Sequence, residues 1–137
     1  MKTTRFGVSM DDELLVGLDR FVQRKRYRNR SEAIRNLVRG ALVEEEWGSA
    51  KGDVIGVLVI LFDHRQRELS SRLLKKEHLR PGDITTLHLH LDHENCLEAK
   101  VIKGKPAEVR AIADELMAMK GVKFGRLIPA TAGKHLR

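Results

Sequence analysis

Apolar residues along the first 46 positions follow two different periods. Over 6–10 they alternate with polar residues or glycine, which predicts a short strand. Over 14–22 and again over 33–42 they recur every three or four residues, which predicts two amphipathic helices. One strand and two helices are too few to bury a core, so we expect a second copy of the chain to complete this unit.

Local signals mark the starts of both helices. Asp11 and Asp12 are typical of a first helical turn, because an acidic side chain there accepts backbone hydrogen bonds and complements the helix dipole. Asn29 and Glu32 predict a capping box at the second helix, with Asn29 as the N-cap and Glu32 reaching back to it.

The remaining pattern is that of an α+β domain over 53–131. The sequence WGSAKG at 47–52 indicates a flexible linker before it, and 132–137 forms a tail without a pattern. The predicted elements run strand, helix, strand, strand, helix, strand, which is the order of the ferredoxin-like plan. Their predicted ranges are 54–62, 67–78, 84–92, 96–103, 109–117 and 122–128.

One predicted hairpin concentrates the candidate chemistry. His88 and His90 are two residues apart on a strand, so both imidazoles point to the same face. The alternating leucines 87, 89 and 91 are expected to face the core, and Cys96 on the second strand then joins the histidines. Nitrogen and thiolate donors suit zinc, copper or nickel, with a planar site favouring nickel(II) or copper(II) and a tetrahedral one zinc. The alternative is a pair of solvated histidines and a buried structural cysteine.

Composition limits the function classes. The 137 residues carry a formal net charge of +7 and a pI of about 9.9, which favours an anionic partner such as nucleic acid. A single cysteine excludes an intramolecular disulfide and fits a reducing compartment. Because the chain has neither an apolar run of membrane-spanning length nor the hydrophobic region of a signal peptide, we expect a soluble cytoplasmic protein.

The motif Asn-Arg-Ser-Glu-Ala-Ile-Arg occupies 29–35, at the predicted entry to the second helix. With the strand and helices around it, the segment 1–46 resembles a ribbon-helix-helix DNA-binding domain, whose paired strands enter the major groove. The resemblance implies that outward side chains of the ribbon contact bases, and that the start of the second helix holds a backbone phosphate. The matching positions are Arg5, Gly7 and Ser9 for the bases, and Arg30 and Ser31 for the phosphate.

Both parts together resemble the nickel-responsive regulators named NikR over nearly the whole chain. That family joins a ribbon-helix-helix domain to a ferredoxin-like, ACT-type domain that forms tetramers and binds nickel(II). Its signature, His-x-His followed after five residues by Cys, is matched by His88, His90 and Cys96. His78 stands where the family takes a fourth ligand from the neighbouring subunit. The resemblance implies a planar site of three nitrogens and one sulfur.

The resemblance also implies a mode of action. Nickel between subunits of a central homotetramer, a dimer of dimers, would allow this repressor to bind a double-stranded DNA operator. Arg65 and Arg67 are expected to touch phosphate once metal has fixed the domains. Where the family can place an acidic pair for a potassium ion, this chain has Glu32 and Asn36, so a second cation site would lack one charge.

Two other functions are compatible with the same residues. The ACT-type domain could sense another ligand, such as an amino acid or copper, with the hairpin donors incidental. A metal with an open position could also catalyse hydrolysis. However, no carboxylate or histidine beyond the ligands is placed as a general base, so we expect a regulator and not an enzyme.

Overall fold

The computed structural model describes residues 2–49, 51–65 and 84–136, and these form parts of two compact units, Met1–Gly40 and Ala41–Arg137. The predicted helix at 67–78 falls outside the described residues. No helix within the described ranges is both long and apolar enough to cross a membrane.

The N-terminal unit contains helix α1 (Asp12–Arg24) and most of helix α2 (Arg30–Gly48). The Oδ1 of Asp11 accepts a hydrogen bond from the Leu14 backbone N–H at 2.8 Å, which caps α1. The Oδ1 of Asn29 accepts from the Glu32 N–H at 2.9 Å, which confirms the predicted N-cap of α2. The Glu32 carboxylate pairs with Arg35 instead of reaching back.

The apolar residues of this unit have few partners within the chain. Helix α1 contains no buried residue, and Leu14 of that helix and Leu37 of α2 are 58% and 50% exposed. Phe6 lies in a segment, 2–11, that is assigned to neither helix nor strand, and it is 77% exposed. The predicted strand at 6–10 therefore has no partner among the described residues, and it stays a prediction about an assembly of two chains.

The C-terminal unit is built on a four-stranded antiparallel sheet in the order β2-β3-β1-β4. This order agrees with the ferredoxin-like plan, in which the first strand lies between the third and the fourth. The elements are β1 (Val54–Asp63), β2 (Ile84–His90), β3 (Asn95–Gly104), α3 (Pro106–Met117) and β4 (Val122–Ala130).

One face of the sheet carries the hydrophobic core. Alternate residues of β1 are buried there beneath α3, whose own buried residues recur at helical spacing. Gly56 lets the helix approach closely, because a Cβ at that position would lie 2.7 Å from Cγ1 of Val109. The core cluster of this unit is Trp47, Val54, Leu58, Ile60, Phe62, Cys96, Ile102, Val109, Ala113 and Leu116.

The expectation that the β2 leucines face the core is wrong for the single chain. Leu87, Leu89 and Leu91 are 69%, 56% and 49% exposed. The residues of β2 and β3 with the opposite parity, including Cys96 at 1%, lie on the core face. The physical reason is that α3 packs on the side of the sheet to which Cys96 points, so the leucines are left on the uncovered face.

The end of α2 belongs to the C-terminal unit. The helix continues to Gly48, so the first two residues of the predicted 47–52 linker are helical. Trp47 is 2% exposed within the core, and its indole N–H donates to the Ala130 carbonyl at 2.9 Å. The guanidinium of Arg110 lies 5.4 Å from the ring centroid. Trp47 thus fastens the last turn of α2 to β4.

Candidate metal centre

The β2–β3 hairpin places the predicted donors on a common face. Residues opposite each other in an antiparallel pair share a face, and the register pairs His90 with Cys96 and His88 with Glu98. Asp92 holds the turn, because its Oδ1 accepts from the backbone N–H groups of Glu94 and Asn95, both at 2.8 Å. The Asn95 side-chain amide and these N–H groups lower the pKa of Asp92 to about 2.

His90 and Cys96 are in direct contact. Nδ1 of His90 lies 3.4 Å from Sγ of Cys96, and the cysteine side chain is buried at the end of the core. Burial raises the pKa of the thiol, and the negative charges of Glu98 and Asp92 raise it further. The free thiol therefore keeps its proton at neutral pH, and a metal ion must displace that proton to bind the thiolate.

His64 is a third donor at the same place. The donor atoms of His64, His90 and Cys96 all lie within 4.8 Å of one another, and the His64 and His90 ring centroids are 4.6 Å apart. Nε2 of His64 is buried without a hydrogen-bond partner among the described residues. The sequence pattern does not single out His64 as a donor, because its place depends on strand pairing. The pairing of Phe62 with Cys96 brings the end of β1 beside the hairpin turn.

His88 has a different environment from His90. Its Nδ1 lies 3.1 Å from Oε1 of Glu98, and its ring meets Phe62 edge-on with centroids 6.2 Å apart. A carboxylate can only accept a hydrogen bond, so this contact puts the proton on Nδ1 and leaves Nε2 of His88 with its lone pair. Among the described residues, His88 is outside the close group formed by His64, His90 and Cys96.

The donor set fits a late transition metal. Two or three imidazole nitrogens and one sulfur are the donors that nickel, copper and zinc prefer, whereas magnesium and calcium take oxygen ligands. His78, the fourth expected ligand, lies outside the described residues, as does Arg67. The ligand role of His78, like the set as a whole, stays a prediction.

Two arginines that are predicted to contact phosphate, Arg30 and Arg65, form ion pairs with carboxylates of the chain itself. Nε and a terminal nitrogen of Arg30 donate to the two oxygens of Asp19 at 2.8 and 2.9 Å, which raises the pKa of Arg30 and lowers that of Asp19. Arg65 makes a similar pair with Asp63 and lies 3.4 Å from a Glu94 oxygen. The Arg65 guanidinium holds the pKa of Asp63 well below its usual range.

The other predicted DNA contacts are open to solvent. Arg5, Gly7 and Ser9 lie in the exposed segment 2–11, and Ser31 is exposed in the first turn of α2. Asn36, the residue expected to weaken a second cation site, donates its amide to the Tyr27 hydroxyl. These placements leave the predicted base and phosphate contacts untested.

Comparison with known proteins places the metal-donor hairpin inside a matched region. The family described as the NikR C terminal nickel binding domain matches residues 55–130. A protein of Geobacter metallireducens is 46% identical over 98% of both chains, and one of Desulfovibrio desulfuricans is 52% identical over 96% of both. One of Thermococcus onnurineus is 44% identical over 99% of both. All three carry the name of a nickel-responsive regulator and none the name of an enzyme, which supports the expectation of a regulator.

Proposed function

Because the chain belongs to the family of nickel-responsive regulators, we propose that it is a repressor that binds a double-stranded DNA operator when nickel(II) is bound. Nickel(II) is the effector metal of this regulator. The observation that carries the proposal is the contact between Cys96 and His90 at the end of the sheet, inside the region matched by the nickel-binding family. A cytoplasmic location suits both a DNA partner and a free cysteine.

The proposed ligands are His88, His90 and Cys96 of one chain and His78 of a neighbouring subunit. Nickel bound there would supply a positive charge between subunits, and the residues of this chain would present the donors to it. Cys96 offers a buried sulfur. Glu98 accepts a hydrogen bond from Nδ1 of His88, which leaves Nε2 of that histidine available for the metal. Since the free thiol is protonated, the affinity for nickel falls as the pH is lowered.

A homotetramer, assembled as a dimer of dimers, fits the exposed apolar surfaces of both units. The uncovered face of the sheet exposes a contiguous set of large apolar side chains, which a second copy of the chain can cover. The exposed apolar residues of the N-terminal unit suit the pairing of two chains through their first strands. The exposed set on the sheet comprises Leu87, Leu89, Val101, Phe124 and Ile128.

DNA binding is proposed through the ribbon formed by two copies of the first strand. Arg5 is the strongest candidate for reading a base, because a guanidinium bonds to guanine through two hydrogen bonds. Arg30 and Ser31 at the start of α2 are proposed to hold phosphate, with a phosphate replacing Asp19 beside Arg30. Arg65 and Arg67 are proposed as further phosphate contacts from the C-terminal domain.

Metal titration followed by ultraviolet-visible absorption tests the proposed site. We expect a thiolate-to-nickel charge-transfer band that saturates at one nickel per chain. Cys96→Ala should abolish the band, His78→Ala and His88→Ala should change it, and His93→Ala in the exposed turn is the matched control. A band that persists in Cys96→Ala would contradict the proposed ligand set. The His64→Ala variant determines whether the histidine beside His90 also binds the metal.

Operator binding is tested with the same variants. Fluorescence anisotropy with DNA from upstream of the chain's own gene should show binding that requires nickel in the wild type and is lost in Cys96→Ala. Equal binding with and without nickel would show that the metal does not control DNA binding, and it would contradict the proposed function.

A second function, sensing of another small ligand, is favoured by one observation. An open cavity of about 480 Å³ lies within the C-terminal unit, between the end of α2 and the residues that follow β4. Charged and polar groups, among them Glu45, Lys51 and Lys134, line it. If the operator binding of Cys96→Ala still responded to an amino acid, this second function would replace the nickel-dependent one.

A further inference from the structure

A buried lysine lies on the same face as the metal donors. Lys100 is on β3 opposite Thr86, two cross-strand pairs along the sheet from His88 and Glu98. Its side chain is fully buried, with 0% exposure, between the metal donors and the apolar core. A lysine in such a place is unusual, since removing an ammonium group from water is costly unless the charge has a partner.

Glu98 is such a partner among the described residues. Nζ of Lys100 lies 3.0 Å from Oε2 of Glu98 and donates a hydrogen bond to the Thr86 hydroxyl at 3.2 Å. Burial lowers the pKa of Lys100 to about 8, which still leaves the ammonium form dominant at neutral pH. The Nζ–Oε2 contact is an ion pair without the alignment of a hydrogen bond, so its main effect is electrostatic.

The other oxygen of the same carboxylate contacts the metal-donor histidine. Oε1 of Glu98 lies 3.1 Å from Nδ1 of His88, so one carboxylate bridges the ammonium and the imidazole. The Glu98 side chain is only 13% exposed. Without the ammonium, a carboxylate in this place would turn toward water. His88 would then lose the acceptor that fixes its proton on Nδ1.

We propose that Lys100 is a positioning residue that acts through Glu98 to fix the tautomer of His88 and so presents Nε2 to the metal. Lys100 does not touch the metal. Its charge holds the carboxylate in the bridging position, and by occupying Oε2 it keeps Glu98 from becoming an oxygen ligand. The sulfur and nitrogen donors that suit nickel are thereby kept free of a competing carboxylate. The inference rests on the proposed nickel site.

The tautomer of His88 can be measured without any metal. Long-range proton–nitrogen NMR correlations of histidine-labelled, metal-free protein should show a single Nδ1–H tautomer in the wild type. In Lys100→Met, which keeps an unbranched side chain of similar length and removes its charge, we expect two exchanging tautomers. Lys103→Met is the matched control, because Lys103 is exposed on the same strand and points to the opposite face. A single Nδ1–H tautomer in Lys100→Met, or an Nε2–H tautomer in the wild type, would overturn the proposal.

The affinity for nickel provides a second test of the role of Lys100. Loss of an outer partner of a metal ligand typically weakens binding by about 10–100-fold, so we expect a reduction of about tenfold or more in Lys100→Met and none in Lys103→Met. Unchanged affinity in a folded Lys100→Met would contradict the proposal. If the wild type bound no nickel at all, the proposed function would fail while the tautomer measurement would still decide the role of Lys100.

A wild-type measurement covers the case in which Lys100→Met does not fold. The ¹⁵N signal of a buried, ion-paired Lys100 ammonium should be visible at neutral pH because its protons exchange slowly with water. It should correlate with the protons of neighbouring side chains. A Lys100 ammonium that exchanges as fast as that of exposed Lys103 would overturn the ion pair and with it the proposal.

Discussion

The two units of this chain differ in where their apolar surface finds a partner. In the described part of the C-terminal unit, alternate residues of β1 and the inner side of α3 bury one another within the chain. In the N-terminal unit α1 buries nothing, and Ala33 is the sole buried apolar residue among residues 2–40. The same kind of amphipathic pattern therefore produces a core in one unit and exposed surface in the other. We therefore expect the N-terminal unit to depend on a second chain for its stability.

The largest expected effect comes from placing a charge on the exposed apolar surface of the N-terminal unit. Leu37 is 50% exposed in the single chain, where an aspartate would cost little. If two copies bury it, Leu37→Asp leaves an unpaired charge in their interface and abolishes operator binding. The measurement is anisotropy with nickel present, with exposed Gln23→Asp on α1 as the control. Wild-type affinity in Leu37→Asp would show that this surface is not buried between copies.

The next largest effect distinguishes a substitution on the buried face of the sheet from one on the exposed face. Phe62 is 1% exposed in the core, so Phe62→Ala should lower the free energy of unfolding of the C-terminal unit by about 3–5 kcal/mol. Phe124 is 49% exposed, and Phe124→Ala should leave the fold of the subunit intact and weaken its association instead. Chemical denaturation and analytical ultracentrifugation provide the two measurements. Equal losses of stability in a monomeric state would contradict the assignment of an inner and an outer face.

A smaller effect is expected from pH. The folded pKa of Lys100 is about 8 and the ordinary value is 10.5, so the unfolded chain binds the extra proton between these values. Stability from this group therefore rises as pH increases from about 8 to 10.5, by at most about 3 kcal/mol. Lys100→Met should remove this rise. Thermal unfolding of the wild type and of Lys100→Met across this pH range checks the prediction. If the stability of both proteins rose with pH to the same extent, the prediction would be contradicted.

The smallest effect concerns the turn between the two helices. Arg26 has a φ of 59°, a left-handed conformation that is unfavourable for a side chain with a Cβ. It lies two residues beyond the end of α1, where its N–H donates to the Gln23 carbonyl at 3.2 Å. Arg26→Gly should stabilise the N-terminal unit by about 1 kcal/mol, whereas Arg28→Gly, without a positive φ, should not. Thermal unfolding distinguishes the two, and equal effects would exclude backbone strain as the cause.

Much of the local structure could be predicted from the sequence because it depends on neighbours along the chain. The Asn29 cap, the alternation of β1 and the shared face of His88, His90 and Cys96 are all consequences of short-range geometry. The contact of His64 with His90 and the burial of Lys100 could not be predicted this way. Both depend on which strand lies beside β3 and on which side of the sheet the helix packs.

By itself, then, the sequence determined the types of the described helices and strands other than the predicted strand at 6–10, the common face of the candidate metal donors and the family resemblance that points to nickel. Only the tertiary structure decided which face of the sheet is the inner one. Alternation determines which residues lie together, but both faces of β1 and of the β2–β3 hairpin carry apolar residues, so the pattern suits either side. The packing of α3 against the face of Cys96 selected one side. As a result the thiol and Lys100 are buried, while the leucines of β2 stay exposed in the single chain.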